Sequence, residues 1–306
     1  MSTRVYHYHT TDVFTDRPLA GNQLAVVLDA TGLSSAEMQA IAAEFNYSET
    51  TFVLPPADPS HTAHVRIFTP GAELPFAGHP NVGTAFVLAT LGTCYGRLVG
   101  NRLLFEEAAG LVPVDRILDG DNPVGATLTA PVPLTTGSEA PVAAVAAAIS
   151  LEAADIATAR HAPIVASVGA PFLMVELTNR AALARAVPMR SLLSSALPDG
   201  AHGIHAYVPA TDAGDIDIRA RMFAVLDGIT EDPATGSANA ALVALLSQLL
   251  GGPEPTFVRR IAQGVEMGRP SLLVGTVHRS PGTTQRVQIG GRCVTVMQGV
   301  LHLPST

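Results

Sequence analysis

The sequence predicts an α+β protein with two similar domains, in each of which a strand-rich curved sheet or barrel surrounds one apolar helix. The chain has 306 residues, which exceeds the usual length of a single domain. Two predicted helices, at residues 82–91 and 238–250, are apolar on nearly every face. The segments that precede these helices resemble each other, which indicates an internal duplication with pseudo-twofold symmetry.

The predicted strands are short runs rich in β-branched and aromatic residues, and they recur along the whole chain. Between the first of them lies a predicted surface helix at residues 34–45, where Ser34 and Glu37 have the spacing of a capping box. The strand segments are residues 24–28, 50–54, 65–68, 164–168, 172–177, 219–223 and 294–297.

The two apolar helices differ from the surface helix because they have no polar face. A helix of this kind is buried on every side. Strands must therefore surround it, and one such helix in each domain is the simplest arrangement. We place the domains at residues 1–128 and 129–292, and expect a terminal strand at 293–306 to return to the first domain.

The duplication is visible in two segments that align without gaps. The segment E-L-P-F-A-G-H-P-N begins at Glu73, and E-D-P-A-T-G-S-A-N begins at Glu231. Glutamate, proline, glycine and asparagine recur in register. An Arg-x-Phe run also precedes each segment, starting at Arg66 and at Arg221.

Composition and charge limit the classes of partner. Hydrophobic residues make up 47% and charged residues 14%, so the chain can bury a large core without disulfides or metals. The net charge is −8 and the basic residues are scattered, which argues against nucleic acid or an anionic membrane surface. No apolar run reaches bilayer length and no signal peptide is evident, so we expect a cytoplasmic protein that binds a small molecule.

Metal and nucleotide cofactors lack support in the sequence. Cys94 and Cys293 are the only cysteines and have no C-x-x-C spacing. The histidine pairs, such as His61-x-x-His64, do not match a metalloenzyme motif. Neither a dinucleotide-binding glycine motif nor a Walker A motif is present. We therefore expect no cofactor and no metal.

Both apolar helices begin at a glycine-containing turn, Gly78-His79 in one and Gly236-Ser237 in the other. Free N–H groups and the positive end of the helix dipole attract anions at such a position. If the two helix starts meet across a cleft, a substrate carboxylate fits between them. Taken alone, Ser237 equally fits a simple helix cap.

The sequence resembles the phenazine-biosynthesis isomerase-like family in a series of motifs that follow one another along nearly the whole chain. The combination is far more specific than any one motif. The motifs are D12-V-F-T15, G21-N-Q-L-A-V-V27, N46-Y-S-E-T-T-F-V53, R66-I-F-T-P-G-A-E-L-P-F-A-G-H-P80, E231-D-P-A-T-G-S-A238 and Q263-G-V-E-M-G-R-P-S271.

This resemblance implies a diaminopimelate-epimerase-like fold in which two similar domains enclose the active site. It also implies that Glu49 is the carboxylate that transfers a proton. Without the resemblance, Glu49 reads as a solvated residue before a strand and Asp232 as a turn residue. By motif, the catalytic residues are Glu49, His79, Asp232 and Ser237, and the substrate-binding residues are Gly78, Gly236, Asn22, Gln263 and Gly264.

The implied function is that of a cofactor-independent isomerase that moves a proton on a small carboxylate-bearing substrate, as in the isomerisation of trans-2,3-dihydro-3-hydroxyanthranilate. A homodimer is expected by the same resemblance. Epimerases of this fold use two cysteines, whereas His79 and Ser237 occupy the corresponding positions here, which disfavours a two-thiol racemase. An epimerase with His79 or Asp232 as a second base, and a non-catalytic binding protein, remain as alternatives.

Overall fold

The computed structural model describes residues 3–210, 214–224, 229–279 and 286–304. The chain forms two compact units, one of Met1–Thr129 with Gly290–Thr306 and the other of Ala130–Ile289. Two chain connections therefore join the units. Within the described ranges, no helix combines the length and the apolar character needed to cross a bilayer.

The N-terminal unit consists mainly of strands, which bear out the predicted strand-rich character. Its elements in chain order are β1 (Thr3–Val13), β2 (Asn22–Val27), α1 (Ser35–Phe45), β3 (Glu49–Leu54), β4 (Ala63–Phe68), β5 (Glu73–Leu74), α2 (Gly78–Leu91), β6 (Thr93–Cys94), β7 (Arg97–Leu98), β8 (Arg102–Glu107), β9 (Gly110–Asp119) and β10 (Asn122–Thr129).

The C-terminal unit adds three short helices that the sequence patterns did not single out. Its elements are β11 (Thr135–Glu139), α3 (Val142–Ala148), a 3₁₀ turn (Ala153–Asp155), β12 (Ile164–Ser167), β13 (Pro171–Glu176), α4 (Arg180–Arg185), α5 (Arg190–Ala196), β14 (Ile204–Pro209), β15 (Ile218–Ala224), β16 (Ile229–Asp232), α6 (Gly236–Leu250), β17 (Thr256–Gln263), β18 (Ser271–His278) and β19 (Arg286–Pro304), whose last fifteen residues belong to the N-terminal unit.

Eight strands of the N-terminal unit pair in a closed ring, which makes a barrel. Around the ring the order is β1, β2, β3, β4, β8, β9, β10 and β19, and β19 pairs again with β1. Helix α2 packs against β1, β2, β3, β9 and β10 and is buried from residue 78 to residue 89. Gly83 permits this approach, because a Cβ there would lie 2.6 Å from the side chain of Leu24.

Both long apolar helices begin earlier than their apolar residues suggest. Helix α2 begins at Gly78 and includes Pro80, because a proline in the first turn loses no helical hydrogen bond. Helix α6 begins at Gly236. The surface helix α1 follows the prediction, with Ser34 as its N-cap and a complete capping box with Glu37.

The strand pairing of the N-terminal unit recurs in the C-terminal unit. The pairs β1–β2, β2–β3, β3–β4, β4–β8 and β8–β9 are antiparallel, parallel, antiparallel, parallel and antiparallel. The series β12, β13, β14, β15, β17 and β18 repeats this order of directions. In each unit the apolar helix follows the short strand that pairs with the fourth strand of the series.

Side-chain contacts repeat with the topology. Arg66 binds Glu73 through two hydrogen bonds of 2.7 Å, and Arg221 binds Glu231 through bonds of 2.8 and 2.7 Å. Each arginine also lies over the phenylalanine two residues further along the chain, 5.1 and 4.9 Å from the ring centroid. These matching contacts show which residues of the two units are equivalent. They support the duplication indicated by the sequence.

Candidate active site

Glu49 is the first residue of β3 and lies opposite Leu24 in the parallel pair with β2. Its side chain is 13% exposed, and Oε2 lies 3.3 Å from Nε2 of His79. A carboxylate that projects from the end of a strand and is mostly removed from water is well placed for proton transfer. The structure thus brings together two of the predicted catalytic residues in the N-terminal unit.

His79 is the second residue of helix α2 and is buried. Burial lowers its pKa to about 3, although a hydrogen bond with the backbone of Gln23 opposes this shift. The imidazole is therefore neutral at physiological pH, and its contact with Glu49 is not an ion pair. The two atoms are close to each other, but their geometry is not that of a hydrogen bond.

Asn22 determines how the ring of His79 is held. It is the first residue of β2, it is buried, and its Nδ2 lies 3.3 Å from Nδ1 of His79. Which of the two groups donates in this contact depends on the tautomer of the ring. Asn22 was expected to bind substrate, and the structure places it behind His79.

The start of α2 has the features of an anion site. Its N-cap, Ala77, has extended backbone angles and provides no side-chain cap. Gly78 and His79 form the first turn, where N–H groups have no partner within the helix. Pro80 contributes no N–H, so the donors available at this end belong to the residues before it.

In the C-terminal unit, Asp232 lies at the end of β16, four residues before α6 begins, and is buried. Its carboxylate accepts a hydrogen bond from the hydroxyl of Thr235, the N-cap residue of α6. Its backbone carbonyl accepts a 2.7 Å bond from Nε2 of Gln263. The aspartate is thus fixed in place by the turn that leads into the helix.

Ser237 is the second residue of α6 and corresponds to His79 in α2. Gly236 is buried and Ser237 is half-buried. Thr235 makes no side-chain cap hydrogen bond to the helix, so the first-turn N–H groups resemble those of α2. The predicted pairs Gly78-His79 and Gly236-Ser237 therefore have equivalent positions in their own units.

Gln263 is fully buried at the end of β17, and its amide is used within the protein. Besides Asp232, Nε2 donates to Oγ1 of Thr235 at 3.1 Å, while Oε1 accepts from the Thr235 N–H at 3.2 Å and from Asn239 Nδ2 at 2.6 Å. The side chain therefore holds the start of α6 in place.

Gly264 follows with a φ of +72°, and a Cβ at this position would lie 2.5 Å from the carbonyl oxygen of Pro233. Only glycine fits this left-handed and crowded position without strain. Gly264 therefore allows the chain after β17 to pass close to Pro233, the residue that follows Asp232.

Sequence reasoning missed Thr235, Asn239 and Asn81, although the two asparagines align in the duplicated segments.

The duplication is unequal at the position of Glu49. Thr50 pairs with Phe68, and Ile204 pairs with Phe223, so Glu49 corresponds to Gly203. A Cβ at Gly203 would lie 2.2 Å from the carbonyl oxygen of Phe223. The C-terminal unit therefore has no room for a carboxylate at the equivalent position.

The candidate residues fall into two groups, one in each unit. Glu49, His79, Asn22 and Gly78 belong to the N-terminal unit, and Asp232, Gly236, Ser237, Gln263 and Gly264 belong to the C-terminal unit. Among the residues that the structure describes, no three His, Cys, Asp or Glu side chains are arranged to hold a metal ion.

Comparison with known proteins agrees with the fold and identifies the family. Residues 11–299 match the family described as phenazine biosynthesis-like protein. Trans-2,3-dihydro-3-hydroxyanthranilate isomerase of Pseudomonas chlororaphis is 36% identical over 299 residues, which cover 98% of this chain and 100% of the relative.

Two solved structures have the same fold. A PhzF-family phenazine biosynthesis protein of Bacillus anthracis has a TM-score of 0.88 at 24% identity and covers 97% of this chain and 99% of its own. A hydroxyproline epimerase of Agrobacterium vitis, with bound trans-4-hydroxy-L-proline, has a TM-score of 0.65 at 15% identity and covers 98% of this chain and 93% of its own. With a family match over nearly its whole length, the chain belongs to the phenazine biosynthesis-like protein family.

Proposed function

We propose that the chain is a cofactor-independent isomerase that moves a proton on a small carboxylate-bearing substrate, with Glu49 as the group that carries the proton. The observation that supports this most is the inequality of the two units. A mostly buried carboxylate stands beside a neutral imidazole in one unit, whereas its counterpart in the other is Gly203. One carboxylate, and not a symmetric pair of bases, is available at this position.

The reaction requires no change of oxidation state in the protein. Glu49 takes a proton from a carbon of the substrate, and the electron pair of that C–H bond shifts into a new carbon–carbon double bond. The existing double bond shifts in turn, and the protonated Glu49 returns the proton to the distant carbon. General acid–base catalysis of this kind contributes roughly 10²–10⁴-fold.

His79 and Asn22 have a supporting role in this scheme. His79 stays neutral through the reaction because burial lowers its pKa to about 3. Its Nε2 lies 3.3 Å from Oε2 of Glu49, and its Nδ1 lies 3.3 Å from Nδ2 of Asn22, which holds the ring in place. The imidazole therefore orients the carboxylate without neutralising it, so that Glu49 remains a base.

We infer that the first-turn N–H groups at Gly78-His79 and at Gly236-Ser237 bind anionic groups of the substrate, and that Asp232 and Ser237 also contact substrate. Helix starts without side-chain caps are suited to an anion. This part of the proposal treats the two units as duplicated halves of one enzyme. Trans-2,3-dihydro-3-hydroxyanthranilate, the substrate in the name of the Pseudomonas relative, is the first compound to test.

An epimerase is the second candidate, and the likeness to the hydroxyproline epimerase favours it at the level of fold. Epimerisation inverts one carbon and usually needs a base on each side of it. Asp232 is the carboxylate available for the second side, but its oxygen already accepts from Thr235. Homodimer formation stays a prediction from the family resemblance, and a cytoplasmic location stays a prediction from the sequence.

The test is enzyme-dependent deuterium incorporation from heavy water, followed by NMR, for a panel of cyclic and acyclic carboxylates that includes the dihydrohydroxyanthranilate. An isomerase yields a product with a shifted double bond, whereas an epimerase yields only the inverted configuration. Glu49→Gln should abolish the labelling, and Glu44→Gln, at an exposed position on α1, is the matched control. Equal labelling by both variants would refute the role of Glu49.

A further inference from the structure

Glu107 ends strand β8 and has no role in the mechanism above, yet this half-buried residue has both carboxyl oxygens shielded from solvent, close to the helix that carries His79. We propose that Glu107 is a positioning residue for the active site: its carboxyl group, in the uncharged form, takes in the N-terminal unit the place that the Gln263 amide has in the C-terminal unit. The catalytic part of this inference rests on the proposed function, whereas its structural part does not.

The strand registers establish the correspondence between Glu107 and Gln263. Ala63 pairs with Phe105 in β4–β8, and Ile218 pairs with Ile261 in β15–β17. Ala63 precedes Arg66 by the same number of residues as Ile218 precedes Arg221. These two arginines belong to the matching Arg–Glu pairs of the two units. Phe105 therefore corresponds to Ile261. Two residues further along each strand, Glu107 of β8 corresponds to Gln263 of β17.

The Gln263 amide shows what a side chain does at this position. It accepts hydrogen bonds from the Thr235 N–H and from Asn239, and it donates to the carbonyl of Asp232. Asn239 in turn donates to the carbonyl of Thr235 at 2.9 Å. One neutral group thus connects the helix, its N-cap and the residue that leads into the turn.

The N-terminal unit repeats the helix side of this network. Asn81 corresponds to Asn239, is fully buried, and donates to the carbonyl of Ala77 at 2.9 Å, as Asn239 does to Thr235. Leu74 corresponds to Asp232, and Glu107 and Leu74 line the same cavity of about 320 Å³. A protonated Glu107 can accept from Asn81 and donate its O–H to the Leu74 carbonyl, which reproduces two of the four bonds that the Gln263 amide makes.

Burial supports the uncharged form. Both carboxyl oxygens of Glu107 are inaccessible to solvent. Neither has a hydrogen-bond partner of acceptable geometry among the residues that the structure describes. Desolvation raises the pKa of Glu107 to about 8, although the neighbouring Asn81 amide opposes the shift.

The charged groups around this carboxyl do not supply a counter-charge. Arg66 on β4 is bound to Glu73 on β5 by two hydrogen bonds. Glu106, the adjacent residue on β8, accepts bonds from two backbone N–H groups and from His61 of the loop between β3 and β4. His64 on β4 lines the same cavity. An ionised Glu107 and the Leu74 carbonyl would both be hydrogen-bond acceptors. No proton would then be available for a hydrogen bond between them.

The consequence concerns His79, which lies two residues before Asn81 in the first turn of α2. While Glu107 is protonated, Asn81 and the turn at Leu74 are held together, and the ring of His79 keeps its position beside Glu49. Loss of the proton removes the donor and loosens the turn. Glutamine supplies the same hydrogen bonds at every pH, whereas leucine has the same size and none of them.

The experiment compares wild-type protein with Glu107→Gln, Glu107→Leu and the neighbouring control Glu106→Gln. Difference infrared spectra at pH 6 should show the carbonyl band of a protonated carboxyl in wild type and in Glu106→Gln, absent from Glu107→Gln. In wild type the band should disappear as the pH passes about 8. The ¹⁵N NMR signals of the His79 ring should be unchanged in Glu107→Gln and displaced in Glu107→Leu.

With a verified substrate, Glu107→Gln should retain activity within twofold and lose the alkaline limb of the wild-type pH profile, whereas Glu107→Leu should lose at least tenfold. Absence of the carboxyl band in wild type would overturn the proposal, as would His79 signals displaced equally by glutamine and leucine. The spectra need no substrate, so they decide the inference even if the proposed isomerase activity fails. If Glu107→Leu does not fold, wild type and Glu107→Gln still decide it.

Discussion

Acidification should destabilise the Glu107→Gln variant much more than the wild-type protein between pH 7 and pH 5. Three buried groups control this window. Burial lowers the pKa of His79 to about 3 and that of His205 to about 4, and raises the pKa of Glu107 to about 8. The described carboxylates whose pKa is about 2, such as Glu37, lose their stabilising effect mainly below pH 5.

The signs follow from proton linkage. Each histidine has a folded pKa below its unfolded value of 6.5, so the unfolded state binds more protons and stability falls as the pH drops. From pH 7 to pH 5 each histidine costs about 2 kcal/mol, or about 4 kcal/mol together. Glu107 has a folded pKa above its unfolded value of 4.5, so its contribution rises by about 2.5 kcal/mol over the same interval.

Wild-type protein should therefore lose only about 1 to 2 kcal/mol of unfolding free energy, and Glu107→Gln about 4 kcal/mol. The assay is urea denaturation at pH 7, 6 and 5, followed by circular dichroism because the chain contains no tryptophan. A third variant, Glu107→Gln with His205→Gln, should recover about 2 kcal/mol of the acid loss. Parallel pH–stability curves for wild type and Glu107→Gln would show that Glu107 is ionised in the folded protein.

Three further predictions concern the site and the duplication. Glu49→Gln should lose at least about 10²-fold in turnover while its affinity for the same ligand, measured by calorimetry, stays within about tenfold; turnover at the wild-type rate would exclude Glu49 as the base. Gly203→Ala should destabilise the protein by about 1–3 kcal/mol or more, because the new Cβ would lie 2.2 Å from the Phe223 carbonyl oxygen. An unchanged denaturation midpoint would contradict the crowding at this position. Treatment with a chelator should leave activity unchanged, and recovery of a lost activity by a divalent ion would refute the metal-free mechanism.

Much of the fold was predictable because it depends on local patterns. The capping box of Ser34 and Glu37, the strand runs and the apolar helices all carry their signal in consecutive residues. The duplicated segments at Glu73 and Glu231 predicted a repeat, and the strand pairing shows it. Helices α3, α4 and α5 were missed because they have six or seven residues each, too few for a clear helical period.

The site was less predictable, because the roles of its residues depend on contacts between distant strands. The motif resemblance identified Glu49 and His79, and their approach to 3.3 Å follows from the packing of α2 against β3. Nothing local in the sequence predicts that Gln263 is saturated by internal hydrogen bonds. Glu107 was missed for the same reason, since a glutamate at the end of a strand is usually solvated.

The last strand has a consequence for how the protein is made. Residues 290–304 of β19 lie between β1 and β10 and complete the ring of the N-terminal barrel. These residues leave the ribosome after the strands from β1 to β18, so the N-terminal unit remains an open sheet, with unpaired edges at β1 and β10, until β19 has been synthesised. Unpaired edges invite association with other chains. A chain stalled near residue 280 should therefore aggregate through its N-terminal half, even though most of the residues of that half are already present.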